Sequence, residues 1–171
     1  MALTTENSYL VPDLLEAHLK LVFCGTAPSK ASAAAKAYYA KPGNKFWPTL
    51  HQVGITPRRF APHDYPQLLP LRIGLTDLCK VHSGVDAELP KDAFDLAAFE
   101  HKLKKYQPAI LAFTSKNAAQ TALGHAVDYG LQDEICRNTR FFVLPSPSGL
   151  ATRFFRLEVW AALAKEFHRP S

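Results

Sequence analysis

Four short polar segments each follow an apolar run, and together they hold the side chains best able to do chemistry: residues 25–29, 76–80, 114–117 and 145–151. Asp77 is the one carboxylate among them. A carboxylate in a crevice can orient water and stabilise positive charge that develops on a bound ligand. Residues 21–47 offer a second chemistry. The run Leu21-Val22-Phe23-Cys24 breaks at Gly25-Thr26-Ala27-Pro28-Ser29 and passes into an alanine-rich stretch. That stretch closes on Tyr38, Tyr39 and Lys41-Pro42-Gly43-Asn44. A strand that breaks into a helix in this way presents backbone N–H groups at its carboxyl end, the usual ligand crevice of a parallel sheet. A flat ligand that stacks on an aromatic ring and carries a phosphate suits such a mouth.

The elements that must position these residues follow from periodicity. Residues 20–24, 71–76, 109–113 and 140–144 are short apolar runs and read as buried strands. Between them lie helical patterns. One covers residues 30–37 behind Ser29 as N-cap. Another starts at Asn44, places Phe46, Trp47, Leu50 and Val53 on one face, and ends at Gly54. A third is capped by Asp92 and carries Phe94, Leu96, Phe99, Leu103 and Tyr106. A fourth runs from the 114–117 turn to about Val127, and a last one covers residues 153–167. A short helix is expected at residues 13–18. The proline-rich residues 57–70 read as loop with one helical turn at 64–69, residues 81–91 as loop, and Met1 to Tyr9 as a frayed start. Strands alternating with helices predict a single α/β domain over residues 1–171. It has three layers, α/β/α, around a four-stranded, mostly parallel sheet. The four polar segments then gather on one edge of that sheet.

Composition narrows the class. The chain has 171 residues, 47% of them hydrophobic, which suits one globular domain. Its net charge of +5 favours a polyanionic partner. Cys24, Cys79 and Cys136 stand far apart and cannot supply a four-cysteine iron–sulfur cluster or a disulfide framework. They read as reduced thiols of an intracellular, cytoplasmic protein. The seven histidines are scattered without metal-site spacing, so neither a metal nor another cofactor is expected. No apolar run reaches membrane-span length, so no membrane partner is expected.

Three motifs give the chain a family resemblance. They are Val22-Phe23-Cys24-Gly25-x-x-Pro28 with the downstream Pro42-x-Asn44-x-Phe46-Trp47, then Arg72-x-Gly74-Leu75-Thr76-Asp77-Leu78, and Leu144-Pro145-Ser146-Pro147-Ser148-Gly149-Leu150. In this order, each after a different strand, they resemble the uracil-DNA glycosylase superfamily. The likeness is to its mismatch-specific uracil/thymine-DNA glycosylase branch. The resemblance implies hydrolysis of the N-glycosidic bond of a uracil flipped out of DNA, as the first step of base excision repair, by a monomer that needs no metal.

Residue by residue, it implies a base pocket of Gly25, Thr26, Ala27, Tyr39, Asn44 and Ser146, with Tyr39 as the aromatic against which the base packs. It gives Leu150 the role of a wedge that fills the vacated stack, and Ser148, Gly149 and Lys116 contacts to DNA phosphate. Each position has a plainer alternative: core tyrosine for Tyr39, core leucine for Leu150, helix N-cap for Asn44, solvated lysine for Lys116. Two departures from the family pattern matter. Ala27 stands where the branch usually has a water-positioning asparagine, and Ser146 where related members begin the last loop with Asn or His. The catalytic role then falls to Asp77. A carboxylate there can orient water and stabilise an oxocarbenium-like sugar, whereas the plainer reading of Asp77 is a turn or cap residue. Two rivals remain at this stage. One is a non-catalytic protein that binds uracil-containing or abasic DNA. The other is a nucleotide- or phosphosugar-binding α/β enzyme, which would lack the usual glycine fingerprints.

Overall fold

The computed structural model describes residues 8–170. Five strands form one sheet in the order β2-β1-β3-β5-β4. They are β1 Leu21–Gly25, β2 Ile73–Asp77, β3 Ile110–Phe113, β4 Gly130–Cys136 and β5 Thr139–Val143. The four expected strands are present and mutually parallel. β4 is an addition to the expected four and pairs antiparallel with β5. Its sequence, Gly-Leu-Gln-Asp-Glu-Ile-Cys, carries no buried residue and is interrupted by a register shift between Leu131 and Ile135. An edge strand with no buried face needs no apolar pattern, so periodicity had nothing to detect.

The helices are α1 Lys30–Ala35, α2 Phe46–Gln52, α3 Leu96–Tyr106, α4 Lys116–Leu123 and α5 Leu157–His168. Their edges correct several expectations. α1 stops early because Lys36 turns left-handed, at φ 51°, and sends Ala37 and Tyr38 into the core. α2 begins at Phe46, with the Phe46 N–H donating to Asn44 Oδ1 at 2.9 Å. α3 is capped by Asp95, not Asp92, through the Ala98 N–H at 3.0 Å; Phe94 precedes the helix, and Leu96 is exposed. α4 ends at Leu123 on a left-handed Gly124. Residues 149–154 form a 3-10 turn before α5, and the proline-rich stretch is a 3-10 segment, Pro62–Leu71.

No helix forms at residues 13–18. Leu14 instead makes an antiparallel bridge with Leu75, its N–H and C=O both paired at 2.9 Å. Glycine at 74 permits this, since a Cβ there would collide with the Leu14 carbonyl. Of the expected frayed start, residues 1–7 lie outside the described residues. Tyr9 is packed, with the Lys102 ammonium 4.5 Å from its ring.

The sheet divides the core in two. Leu21 and Phe23 of β1 face Phe46 and Leu50 of α2 and Trp160 and Leu163 of α5. Val22 and Cys24 face Phe99 and Leu103 of α3 and Ala118 and Ala119 of α4. Alternation along one strand therefore supplies both faces, and helices cover each. The chain runs from β1 to β2 on one side and from β3 to β5 on the other, so the crevice opens between the carboxyl ends of β1 and β3. Among the described residues, no helix is long and apolar enough to cross a membrane.

Candidate active site

A cavity of about 350 Å³ occupies that crevice. Its wall takes residues from all four polar segments: Gly25 at the end of β1 with Thr26 and Ala27 after it, Asp77 at the end of β2, Thr114 after β3, and Ser146, Ser148 and Leu150 after β5. Tyr39 and Asn44 complete it from the connection between α1 and α2.

The strand ends are interlocked, which fixes the cavity floor. The Leu78 N–H donates to the Gly25 carbonyl at 2.9 Å, the Cys79 N–H to Thr26 at 2.7 Å and the Thr114 N–H to Cys24 at 3.0 Å. Gly25 is where the floor is tightest. A Cβ there would stand 2.7 Å from Asp77 Oδ1 and 3.3 Å from both Thr114 Oγ1 and the Tyr39 hydroxyl. Only a glycine lets the carboxylate and the tyrosine meet over this strand end.

Tyr38 and Tyr39 part company. Tyr38 touches the cavity but is buried in the core, with its hydroxyl donating to the Pro12 carbonyl at 2.9 Å, and the Trp47 indole N–H donates to its backbone carbonyl at 2.9 Å. Tyr39 adopts a left-handed backbone, φ 53°, that swings its ring into the cavity wall. Its ring stacks on Phe46 with centroids 3.9 Å apart and planes 18° from parallel, and its hydroxyl lies 3.1 Å from Thr114 Oγ1. Phe46 in turn meets Phe23 edge-on at 5.0 Å, so the ring at the wall is backed by the core. Burial and then the charge of Asp77 push the Tyr39 phenol well above its ordinary value, so it stays protonated.

Asp77 is 6% exposed. Its Oδ2 finds no hydrogen-bond partner among the described residues and lies 3.9 Å from Lys80 Nζ. Burial pushes the carboxyl up to about 7, with Asp13 adding to the rise, while Lys80, Lys102 and a hydrogen bond from the Gly25 backbone oppose it. The group is thus poised between its acid and its base form near neutral pH, as suits acid–base or electrostatic catalysis.

The last loop is held from within and from outside. The Ser148 N–H donates to Ser146 Oγ and the Leu150 N–H to Ser148 Oγ, both at 3.2 Å, and the Lys45 N–H donates to the Pro147 carbonyl at 2.8 Å. Leu150 is 70% exposed at the cavity rim, which sets aside the core-leucine alternative. Gly149 faces the Gly43 backbone and is not part of the cavity wall. Lys116 is not part of it either; its ammonium stands 4.5 Å over the Tyr129 ring. Asn44 both caps α2 and lines the cavity.

Sequence reasoning missed Asp86. It treats Asp77 as the only carboxylate at the crevice, yet Asp86 also lines the cavity, from a 3-10 turn at Asp86–Glu88. It is exposed and accepts from Thr26 Oγ1 at 2.7 Å and from Asn117 Nδ2 at 2.5 Å. The residues after a strand end were the signal followed, and Asp86 lies nine positions beyond Asp77 in a loop that folds back. Lys41 at the rim was missed for the same reason. Among the described residues, no group of three or more His, Cys, Asp or Glu side chains is placed to hold a metal ion.

A three-layer α/β fold with a crevice at its switch point, walled by a stacked tyrosine and a buried carboxylate, defines the class as an α/β protein with a ligand pocket at the carboxyl edge of its sheet. A family model described as the uracil DNA glycosylase superfamily matches residues 12–164, and the chain belongs to that superfamily. The match takes in every strand and the whole cavity wall, which runs from Gly25 to Ala151. Among solved structures, the chain is similar to one titled "putative Uracil DNA glycosylase" from Methanosarcina acetivorans, determined in solution by NMR. Identity is 21%, the alignment covers 93% of this chain and 97% of that one, and the TM-score is 0.62. At that identity the likeness is one of fold.

Proposed function

We propose that the chain is a monofunctional uracil-DNA glycosylase of the mismatch-specific kind. One domain, acting as a monomer on DNA within the cell, hydrolyses the N-glycosidic bond of a flipped-out uracil and leaves an abasic site. The observation that carries the reading is the buried Asp77 carboxylate beside the Tyr39–Phe46 stack, at the bottom of a cavity of about 350 Å³. That volume lies in the usual range for small-ligand pockets of about 300–1,000 Å³.

The chemistry follows from the geometry. Extruding the base costs a few kcal/mol, and Leu150, exposed at the rim, fills the space it leaves. The base packs against Tyr39, whose ring is held by Phe46. As the glycosidic bond breaks, its electron pair leaves with the base and positive charge spreads over the sugar carbon and ring oxygen. The ionised Asp77 stabilises that charge and orients a water, which adds to the sugar carbon and gives its proton to the carboxylate, from where it passes to the departing uracil anion. Gly25, Thr26 and Ala27 shape the floor, Ser146 and Ser148 hold the loop, and Lys41 and Ser148 at the rim meet the phosphates. Lys80 is engaged with carboxylates, which leaves it no part in a Schiff base.

Single-turnover release of uracil from single- and double-stranded oligonucleotides tests the reading. Base release without strand cleavage, and without borohydride trapping, supports it. Ala27 favours the second reading, a damage-binding protein, because it lines the cavity where the branch usually has an asparagine and offers no hydrogen bond. Tight binding of uracil-containing DNA with no release would establish that alternative.

A further inference from the structure

We infer that Lys80 is the positioning residue of the site, a buried ammonium held by Asp13 and Tyr38 beside Asp77 that favours the ionised form of the Asp77 carboxylate. The inference rests on Asp77 being the catalytic group.

The side chains of Lys80, Asp13 and Asp77 are 5%, 7% and 4% exposed. Lysine is almost never so buried unless it is paired. An ammonium has three protons to place. Asp13 Oδ1 lies 3.0 Å from Nζ, and Nζ donates to the Tyr38 hydroxyl at 3.0 Å. Asp77 Oδ2, which finds no hydrogen-bond partner among the described residues, lies 3.9 Å from Nζ, within ion-pair distance but beyond a hydrogen bond.

Asp13 is itself pinned. Thr76 Oγ1 donates to its Oδ1 at 2.7 Å, and Lys102 Nζ stands 2.6 Å from its Oδ2. The sequence of charges Asp77, Lys80, Asp13, Lys102 thus links the end of β2 to the segment before β1 and to α3. A purely structural ion network could occupy the same space, since apolar residues often replace buried ion pairs without loss of stability. What sets this one apart is where it ends. Asp77 borders both the main cavity and a second, small one of about 20 Å³ on its far side, lined by Lys80, Lys102 and Tyr9. The carboxylate is therefore a partition between the substrate space and the buried cations.

The groups facing Asp77 are few. Cys24 on β1 and Tyr38 and Tyr39 before α2 are pushed well up, by burial first and the Asp77 charge next, and Cys79 is raised by burial. All four remain neutral around neutral pH. The charges that act on Asp77 are therefore those of Lys80, Asp13 and Lys102.

The test uses Lys80→Met, Lys80→Arg, Lys102→Met and Asp77→Asn in the full chain, with two readouts. One is the pH profile of single-turnover uracil release. The other is the carbon-13 NMR titration of the Asp77 carboxyl without DNA. Lys80→Met should move both the acid limb of the rate and the Asp77 midpoint upward by about one pH unit or more, because an opposite charge within ~4–6 Å holds a carboxylate ionised. The rate at neutral pH then drops about tenfold and returns at higher pH. Lys80→Arg should keep the wild-type profile. Lys102→Met should move both readouts in the same direction by less, and it decides the matter if Lys80→Met does not fold. An unmoved Asp77 midpoint and an unmoved profile in the lysine variants, with Asp77→Asn inactive, would overturn the role of Lys80 alone. A wild-type rate in Asp77→Asn would remove the catalytic reading itself, independently of any lysine variant.

Discussion

Asp77→Asn should leave the protein more stable above neutral pH while nearly abolishing base release. The two effects share one cause. The carboxyl is raised from 3.8 to about 7, mainly by burial. A carboxyl whose folded value lies above its unfolded one favours the fold fully below about pH 4, and that contribution is lost as pH rises through about 7. At about 1.4 kcal/mol per pH unit, ionising Asp77 in the fold costs about 4 kcal/mol by pH 8. Asparagine is neutral throughout and does not incur this cost. It still places an amide where Oδ2 has no partner, and Lys80 keeps Asp13 as its counter-ion. A net gain of about 2 kcal/mol is the reasonable expectation at pH 8, or a Tm higher by about 4–8 °C in a chain of this size. The gain should shrink as pH falls and vanish near pH 4, where wild-type Asp77 is itself neutral. Over the same range, single-turnover uracil release by the variant should be down about 10²-fold or more, with DNA affinity retained. Wild-type release should fall about tenfold per pH unit below about 7. Thermal melts at several pH values and quenched-flow base release are the assays. A variant less stable than wild type by a pH-independent amount would show that Asp77 is a structural turn residue. A variant that cuts at the wild-type rate would refute its part in the chemistry.

Leu150→Ala should impair release from duplex DNA much more than from single strands, with Tm unchanged because Leu150 is 70% exposed; equal losses on both substrates would remove the wedge. Gly25→Ala would put a methyl 2.7 Å from Asp77 Oδ1, so the carboxylate or the strand end must shift. We expect at least a tenfold loss of release and a destabilisation of about 1–3 kcal/mol, measured by base release and denaturant unfolding; full activity would show that the tight floor is not needed. DNA affinity measured against salt should give a log–log slope of roughly −3 to −5, from about four to five phosphate contacts; a flat dependence would point away from nucleic acid.

The parts of the fold that could be read in advance were those buried on both faces. Leu21-Val22-Phe23-Cys24 and Ile110-Leu111-Ala112-Phe113 are continuous apolar runs because each side chain meets a helix layer, and both proved to be strands at the centre of the sheet. β4 could not be read, since an exposed edge leaves no hydrophobic record. The segment at residues 13–18 was misread for a related reason. Leu14 and Leu15 suit a helical turn as well as a bridge, and the choice was made by the bare backbone at Gly74.

The site divides in the same way. Composition and order alone determined that Gly25, Asp77, Thr114 and Ser146 would meet, because each follows a parallel strand and parallel strands end on one edge. Local sequence also supplied the glycine and serine turns that hold those ends. Only the tertiary structure decided that Tyr39 stacks on Phe46 at the cavity wall while the Tyr38 hydroxyl turns to the Pro12 carbonyl, that Leu150 stands clear of the core, and that Asp86 folds back to the rim. It alone decided the state of Asp77. A carboxylate's charge depends on what surrounds it in space, and while Lys80 lies three residues on, Asp13 and Lys102 come to it from distant parts of the chain. Strand order is a property of the chain's local pattern, whereas desolvation and charge pairing are sums over neighbours that exist only once the chain has folded.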